Sequence, residues 1–209
     1  MRRKGVAARR HAAPGRYTEQ PRRGSSMKSK DTWREVSDAA NLRRLIREVP
    51  DFPKPGVVFR DITPLLADAA GLALAVELMV QPFRGKHLDI AVGAESRGFI
   101  FGTAVAKALS VGFVPVRKPG KLPYQVRRYE YQLEYGTDAL EMHVDALRPG
   151  QRVLVVDDVL ATGGTLAACC GLVRESGATL EAVAVLIELT ALGGRSQLGD
   201  CPVFSVMSY

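Results

Sequence analysis

The segment "VLVVDDVLATGGT", residues 153–165, sets four aliphatic residues directly against two adjacent aspartates, Asp157 and Asp158. A turn containing Gly163 and Gly164 follows at once, and a helix-like apolar stretch comes after it. In open α/β sheets, ligands bind beyond the carboxyl ends of buried strands, often at the N-terminus of the next helix. The segment therefore predicts a buried strand, a binding turn and a helix, in that order.

The rest of the chain continues this alternation of strands and helices. Further buried strands are predicted up to Val92, over 111–118 and over 180–189, the last of these as the final strand. Apolar residues at helical spacing predict helices over 69–80 and 99–109. Strands that are apolar almost throughout favour a parallel sheet covered on both faces. The predicted fold class is α/β, with a mainly parallel central sheet flanked by helices.

The segment ahead of this alternation has a different character. Residues 31–49 show apolar positions at helical spacing, and Pro50 is expected to end that helix. Residues 51–66 contain three prolines and a glycine, which predicts an ordered loop or an extended arm. Together they are expected to form a small N-terminal hood over about 31–66.

The net positive charge of the chain comes from its first 30 residues. The net charge is +7, but residues 1–30 hold ten of the 29 basic side chains and a single acid, Glu19. We interpret residues 1–30 as a disordered basic extension, with nonspecific attraction to polyanions as the alternative. Native translation from Met27 is a further hypothesis. The nearly neutral remainder, residues 31–209, suits one domain, and neither a specific nucleic-acid partner nor a membrane is expected.

Three cysteines, Cys169, Cys170 and Cys201, are too few for a disulfide framework. They suit a reducing cytoplasm, which is the expected location. A metal site built from them is not expected, because neither a CxxC pair nor nearby histidines accompany them.

The acidic pair and the turn behind it suit a phosphorylated sugar. A helix N-terminus presents unpaired N–H groups to a phosphate, while Gly163 and Gly164 allow close approach of the backbone. Carboxylates such as Asp157 and Asp158 accept hydrogen bonds from sugar hydroxyls, whereas a site for phosphate alone avoids negative charge. The nucleotide P-loop and dinucleotide fingerprints are both absent. The alternative is a surface turn in which an aspartate caps the helix.

Taken together, several stretches resemble the type I phosphoribosyltransferase family. The first, at 153–165, is similar to the family signature for 5-phosphoribosyl 1-pyrophosphate (PRPP). The others resemble the adenine-specific members, and the similarity extends over residues 33–208. These stretches are "DFPKPGVVFRDITPLL", "ESRGFIFG", "VRKPGKLP" and "LEYG". The resemblance implies the type I phosphoribosyltransferase fold, with the N-terminal hood and a mobile β-ribbon lid over about 119–136.

The resemblance also implies a PRPP site at two strand ends. Asp157 and Asp158 would bind the ribose hydroxyls, and the turn would wrap the 5-phosphate. The loop after Val92, which often contains a cis peptide in the family, would supply main-chain amides and an arginine to the pyrophosphate. The implied PRPP-binding residues are Glu95, Ser96, Arg97, Arg117, Lys118, Lys121, Asp157, Asp158, Ala161, Thr162, Gly163, Gly164 and Thr165. The alternative for Arg97 is an ion pair at the start of a helix. The alternative for Arg117, Lys118 and Lys121 is a solvated surface cluster.

Alternating residues predict the lid ribbon. In "RYEYQLEYG", residues 128–136, apolar and polar side chains take turns, which gives a β-ribbon one apolar face. By resemblance, the ribbon excludes water from a cationic sugar transition state, and Glu134 manages the purine proton as the catalytic acid or base, beside Arg97 and Lys121. Alternation alone cannot distinguish Glu134 from Glu130 on the polar side. Roles for Arg127, Arg128 and Tyr129 stay open.

The arm "GVVFRD" is the part that resembles adenine-specific members. There Phe59 would stack on the purine, main-chain groups of Val58 and Arg60 would bind its N1/N6 edge, and Leu189 would flank it. A 6-oxo purine exchanges the donor and acceptor on that edge and would leave buried polar groups unpaired. A plain core position is the alternative for Phe59.

The resemblance therefore implies an enzyme that makes AMP and pyrophosphate from adenine and PRPP. Mg²⁺ is the implied cofactor, held mainly by PRPP and water, with no protein-only metal site. Because cations of this family reach the neighbouring site, a homodimer is implied. The alternatives are a phosphoribosyltransferase for another purine base and a PRPP-sensing regulator without catalysis.

Overall fold

The computed structural model describes residues 38–132 and 137–209 of the 209-residue chain. The basic extension at 1–30 lies outside the described residues, as does the start of the hood. Leu133, Glu134 and Tyr135 of the lid also lie outside them.

A five-stranded parallel sheet forms the centre of the molecule. Its order is β4-β3-β7-β8-β9, and every neighbouring pair is parallel. The strands are β3 (Ile90–Ala94), β4 (Gly112–Val116), β7 (Arg152–Leu160), β8 (Thr179–Glu188) and β9 (Val203–Ser208). The three central strands are almost wholly buried, because helices cover both faces of the sheet.

Helices divide the core into two clusters, one on each side of the sheet. The helices are α1 (Thr63–Ala67), α2 (Ala69–Val80), α3 (Arg97–Leu109) and α4 (Gly164–Glu175). Residues of α2 and α3 pack with Leu154 and Val156 in the first cluster. Those of α4 pack with Val153 and Val155 in the second, because alternate residues of a strand face opposite sides. The predicted α/β class with a parallel central sheet is confirmed. Within the described residues, no helix has both the length and the apolar character to cross a membrane.

The N-terminal hood differs from the expectation of one long helix. Residues 38–43 are helical, but residues 44–49 are not. Instead, β1 (Arg47–Pro50) pairs antiparallel with β2 (Val58–Asp61). A register that sets Glu48 opposite Arg60 lets the two side chains form an ion pair. Tertiary pairing therefore overrides the helical spacing, and the predicted end of the helix at Val49 was wrong.

The strand over 180–189 is not the last one. The final strand is β9, which lies at the edge of the sheet and pairs only with β8 among the described strands. Its residues are mostly half-buried, so the segment lacks the continuous apolar run that marks the central strands.

The lid begins as a two-stranded ribbon, β5 (Val126–Gln132) and β6 (Thr137–His143). Tyr129 and Tyr131 pack against the second core cluster, as their alternation predicts, while Arg128 and Glu130 form an exposed ion pair at 3.1 Å. Both tyrosine rings lie on glycines of α4: Tyr131 on Gly164 and Tyr129 on Gly171. The base of the ribbon is therefore seated on the helix that follows the turn of residues 161–165.

Candidate active site

Two neighbouring strand ends form one cleft. Gly93 of β3 lies in register with Val156 of β7, so the loops that follow these positions meet at the carboxyl edge of the sheet. The cleft between them has a volume of about 540 Å³. Its lining residues are Phe59, Glu95, Ser96, Arg97, Asp157, Asp158, Val159, Ala161, Thr162, Gly163, Gly164, Thr165 and Leu166. Most of the predicted PRPP residues are therefore in one place.

The acidic pair lies inside strand β7 rather than after it, because β7 continues to Leu160. Asp157 and Asp158 are only 8% and 3% exposed, and the Asp158 N–H donates to Asp157 Oδ1 at 2.9 Å. Neither side chain caps α4, whose N-cap is Gly163. The alternative of a capping aspartate was therefore wrong.

Burial makes ionisation of this pair costly. It raises the pKa of Asp157 well above its ordinary value, and the adjacent Asp158 carboxylate raises it further. Burial also raises the pKa of Asp158, against the opposing effect of Arg97. Two carboxylates are thus held at the floor of the cleft, and among the described residues Arg97 is the only cation paired with them. This arrangement suits a ligand that brings hydroxyl donors or positive charge.

We expect Asp157→Asn to stabilise the ligand-free protein by about 1 kcal/mol while weakening PRPP binding at least about tenfold. The folded-state pKa of Asp157 lies above the unfolded one, so ionisation opposes folding. Wild-type stability is therefore lost as the pH rises from about 4 through the raised pKa. Thermal melts should show a larger gain for the variant at pH 8 than at pH 4.

The matched control is Asp145→Asn, which removes a carboxylate from the surface of the same domain. It should change neither the melting temperature nor the affinity. Equal stability of Asp157→Asn and wild type at both pH values would contradict the argument.

Arg97 joins the acidic pair to the base-binding arm. It is the first residue of α3, its Nε lies 2.9 Å from Asp158 Oδ2, and its guanidinium stands 5.3 Å from the centre of the Phe59 ring. The helix-start ion pair that sequence offered as an alternative is thus present. The loop before Arg97 contains a cis peptide between Glu95 and Ser96, as the resemblance implied.

The turn at the other side of the cleft exposes main chain. Gly163 has a φ of +91°, a conformation that side-chain-bearing residues rarely adopt, and α4 begins directly after it. A Cβ at Gly163 would collide with the Gly194 carbonyl oxygen and lie 3.0 Å from Gln197 Cβ. The turn is therefore backed by the segment 193–197, and it lines the cleft at the start of a helix, where main-chain N–H groups have no partner within the helix.

Three cations lie on the loop after β4 and line an adjoining cavity of about 440 Å³ that shares Glu95 and Ser96 with the main cleft. Glu95 holds two of them: Arg117 at 2.8 Å and Lys121 at 2.7 Å. Although burial raises the pKa of Glu95, hydrogen bonds from both cations bring it below its ordinary value. Lys118 is paired with Asp138 of β6 instead. The predicted cluster is therefore an ordered part of the site.

Of the four candidate base-binding residues, only Phe59 lines the cleft. Phe59 lines the cleft, stacks edge-on with Phe52 at 5.2 Å, and belongs to neither core cluster, so the plain core alternative was wrong. Val58 is exposed, and the Arg60 guanidinium stacks on Tyr209 at 4.2 Å. Leu189 packs against the first core cluster instead of lining the cleft, so its contact with a base stays a prediction.

Sequence reasoning missed the residues that support the site from behind. Gly194 backs the turn, and Glu141 accepts the Gly120 N–H at 2.9 Å, which fixes the cationic loop to β6. Asp138, the partner of Lys118, was missed as well. A carboxylate within a mostly apolar strand, as at Glu141, was the one available signal.

Comparison with known proteins identifies the family. The chain matches the phosphoribosyl transferase domain over residues 63–204. The adenine phosphoribosyltransferase of Xanthomonas campestris pv. campestris is 57% identical over 83% of this chain and 94% of its own length. That of Roseiflexus sp. is 55% identical over 81% of this chain and 98% of its own.

Solved structures agree in fold and sequence. The adenine phosphoribosyltransferase of Rhodothermus marinus superimposes with a TM-score of 0.80 at 51% identity, over 83% of this chain and 99% of its own. The Saccharomyces cerevisiae enzyme was solved with an imino-altritol bisphosphate and adenine. It has a TM-score of 0.78 at 39% identity, over 82% of this chain and 99% of its own. The chain belongs to the phosphoribosyltransferase family and, within it, to the adenine phosphoribosyltransferases.

Proposed function

We propose that this adenine phosphoribosyltransferase joins N9 of adenine to C1′ of PRPP in the cleft between β3 and β7, releasing AMP and pyrophosphate. The observation that carries the proposal is the cleft itself. Its floor bears the acidic pair, its far side the turn of residues 161–165, and its upper side the Phe59 ring. These three parts match the ribose, the 5-phosphate and the base of one nucleotide.

The ribose and its phosphate take the floor and the turn. Asp157 and Asp158 accept hydrogen bonds from the ribose hydroxyls and favour the positive charge that develops on the sugar. The turn, Ala161 to Thr165, gives main-chain N–H groups and threonine hydroxyls to the 5-phosphate. Holding both ends of the sugar orients C1′ beneath N9 of the base, which contributes to the rate by proximity.

The leaving pyrophosphate takes the adjoining cavity. Main-chain amides of Glu95 and Ser96 and the guanidinium of Arg97 bind it at the first loop, where the planar fork of arginine suits phosphate oxygens. Lys118 and Lys121 add positive charge from the second loop, together with Arg117. These groups stabilise the charge that forms as the bond to C1′ breaks.

The base stacks on Phe59, and main-chain groups of Val58 and Arg60 read its N1/N6 edge. A main-chain N–H toward N1 and a carbonyl toward the amino group accept adenine. Leu189 flanks the base on its apolar side. Glu134, in the lid segment, manages the proton on the purine while N9 attacks. Its motif supports this role, since "LEYG" lies in the sequence between β5 and β6.

Mg²⁺ is the proposed cofactor. No group of three or more potential protein ligands exists among the described residues, but the carboxylates of the cleft are hard oxygen donors that suit Mg²⁺ directly or through water. When bound with PRPP, the ion would neutralise part of the pyrophosphate charge.

We further propose that the enzyme is a homodimer and works in the cytoplasm, where its unpaired cysteines suit a reducing environment.

The test is AMP formation from adenine and PRPP with Mg²⁺, compared with product formation from hypoxanthine, guanine and xanthine. We expect adenine to be preferred by at least about tenfold in kcat/KM, since a 6-oxo purine leaves buried polar groups unpaired. Removal of Mg²⁺ by EDTA should abolish turnover. Preference for another base would reject the adenine assignment, and PRPP binding without any turnover would indicate a regulator.

A further inference from the structure

Every cation proposed for pyrophosphate has a carboxylate partner before any ligand is bound. Arg97 is paired with Asp158, whereas Arg117 and Lys121 share Glu95. These two carboxylates belong to the cleft itself. The partner of Lys118 does not: Asp138 is the second residue of β6 and lies outside the cleft.

Asp138 is held by more than Lys118. It lies opposite Tyr131 in the ribbon, and its Oδ2 accepts the tyrosine hydroxyl at 3.1 Å. Its Oδ1 accepts the Ala139 N–H at 2.8 Å. The hydrogen bond from Lys118 is the largest of the contacts that lower the pKa of Asp138 below its ordinary value, so the carboxylate is charged near neutral pH. Without Lys118, Asp138 would still keep two donors.

Lys118 is free to change partners in a way that the cations held by Glu95 are not. The Glu95 side chain is only 9% exposed, so a cation that leaves it gives up a pairing with a buried carboxylate. Asp138 is 28% exposed and Lys118 is 41% exposed. Departure of Lys118 therefore leaves a partly hydrated carboxylate with two hydrogen bonds, so its cost is no more than that of breaking a partly exposed ion pair.

We propose that Asp138 is the counter-charge that Lys118 exchanges for pyrophosphate, and that it thereby limits the affinity of the site for pyrophosphate and PRPP. The inference rests on the proposed role of Lys118 in binding pyrophosphate. Before binding, Asp138 neutralises the lysine and keeps it near the cavity. On binding, the phosphate oxygens must compete with Asp138 for the ammonium, and the carboxylate also repels them. Asp138 is thus a positioning residue that weakens product binding and favours pyrophosphate release.

The test is the affinity of magnesium pyrophosphate for wild type and Asp138→Asn, measured by titration calorimetry. Because a partly exposed ion pair contributes up to about 1 kcal/mol, the variant should bind about fivefold more tightly. Pyrophosphate should also inhibit AMP formation at a correspondingly lower concentration. A gain of affinity separates this role from a structural one, since a damaged fold binds more weakly.

Glu130→Gln is the matched control, because it removes a carboxylate from the same ribbon, where Glu130 is paired with Arg128 in solvent. It should leave the affinity unchanged. Asp138→Ser removes the charge by a second route and must shift the affinity in the same direction as Asp138→Asn. Adding Asp138→Asn to Lys118→Ala should give a smaller gain than adding it to wild type, because the exchange is then absent.

The outcomes separate the two proposals. Unchanged affinity in Lys118→Ala would refute the role of Lys118 in pyrophosphate binding, and with it the premise. Weaker binding in Lys118→Ala, combined with unchanged or weaker binding in both folded Asp138 variants, would leave that role intact and overturn the counter-charge. Thermal melts of each variant establish that it is folded.

Discussion

Replacement of Glu134 by glutamine is expected to lower kcat for AMP formation by about 10²- to 10⁴-fold, the usual contribution of a general acid or base. Glutamine keeps the size and polarity of the side chain but cannot exchange a proton with the purine. The affinity for PRPP should stay within about threefold of wild type, since the ribose, phosphate and pyrophosphate contacts come from other elements. Steady-state kinetics and PRPP titration measure the two quantities.

The ribbon supports this separation of catalysis from binding. Residues 133–136 lie in the sequence between its two strands, and Tyr131 lies on Gly164 at the start of α4, next to the proposed phosphate turn. Glu130→Gln is the control here too, because Glu130 has the same chemistry four residues earlier in the sequence and faces solvent. Similar losses in both variants, or none in Glu134→Gln, would remove Glu134 from the mechanism.

Replacement of Gly163 by valine should reduce PRPP affinity at least about hundredfold, through two effects that together cost about 3 kcal/mol. A β-branched residue is strained at a φ of +91°, and its Cβ would collide with the Gly194 carbonyl. The turn can relieve both only by changing its conformation, which turns its N–H groups away from the phosphate. Calorimetric titration with PRPP gives the affinity directly.

Gly150→Val provides the matched control for strain. Gly150 has a similar φ of +81° in the turn before β7, and a Cβ there would meet nothing within 4 Å. This variant should melt at a lower temperature, by a few degrees, yet bind PRPP like wild type. If Gly163→Val also bound PRPP normally, the 5-phosphate would have to lie elsewhere.

The sequence was sufficient for the central strands of the sheet and for the position of the cleft, for physical reasons that particular residues illustrate. The run from Val153 to Val156 is apolar at every position, so both faces of this strand are buried, as in a parallel sheet covered by helices on both sides. Parallel strands end at one edge, so the loops after Val92 and Val156 had to meet. The roles of Glu134 and Leu189, by contrast, depend on the family motif alone.

Long-range pairing explains most of what the sequence did not reveal. Arg47–Pro50 continues a helical pattern but forms a strand, because β2 offers it an antiparallel partner eight or more residues away. Edge strand β9 has a weak apolar pattern and depends on β8 for its position. The pairing of Lys118 with Asp138 joins residues twenty positions apart, and no local pattern encodes such a contact.

Two tyrosines of the ribbon pack on two glycines of α4, and this packing should couple the substitutions that related sequences accept at these four positions. Gly164 and Gly171 lie two turns apart on one side of α4, and each leaves room for one ring. A larger residue at Gly171 would displace Tyr129, and a smaller residue at Tyr129 would open a void. We therefore expect accepted changes at these sites to occur as compensating pairs, ribbon with helix, so that aligned homologues should show covariation between 129 and 171 and between 131 and 164.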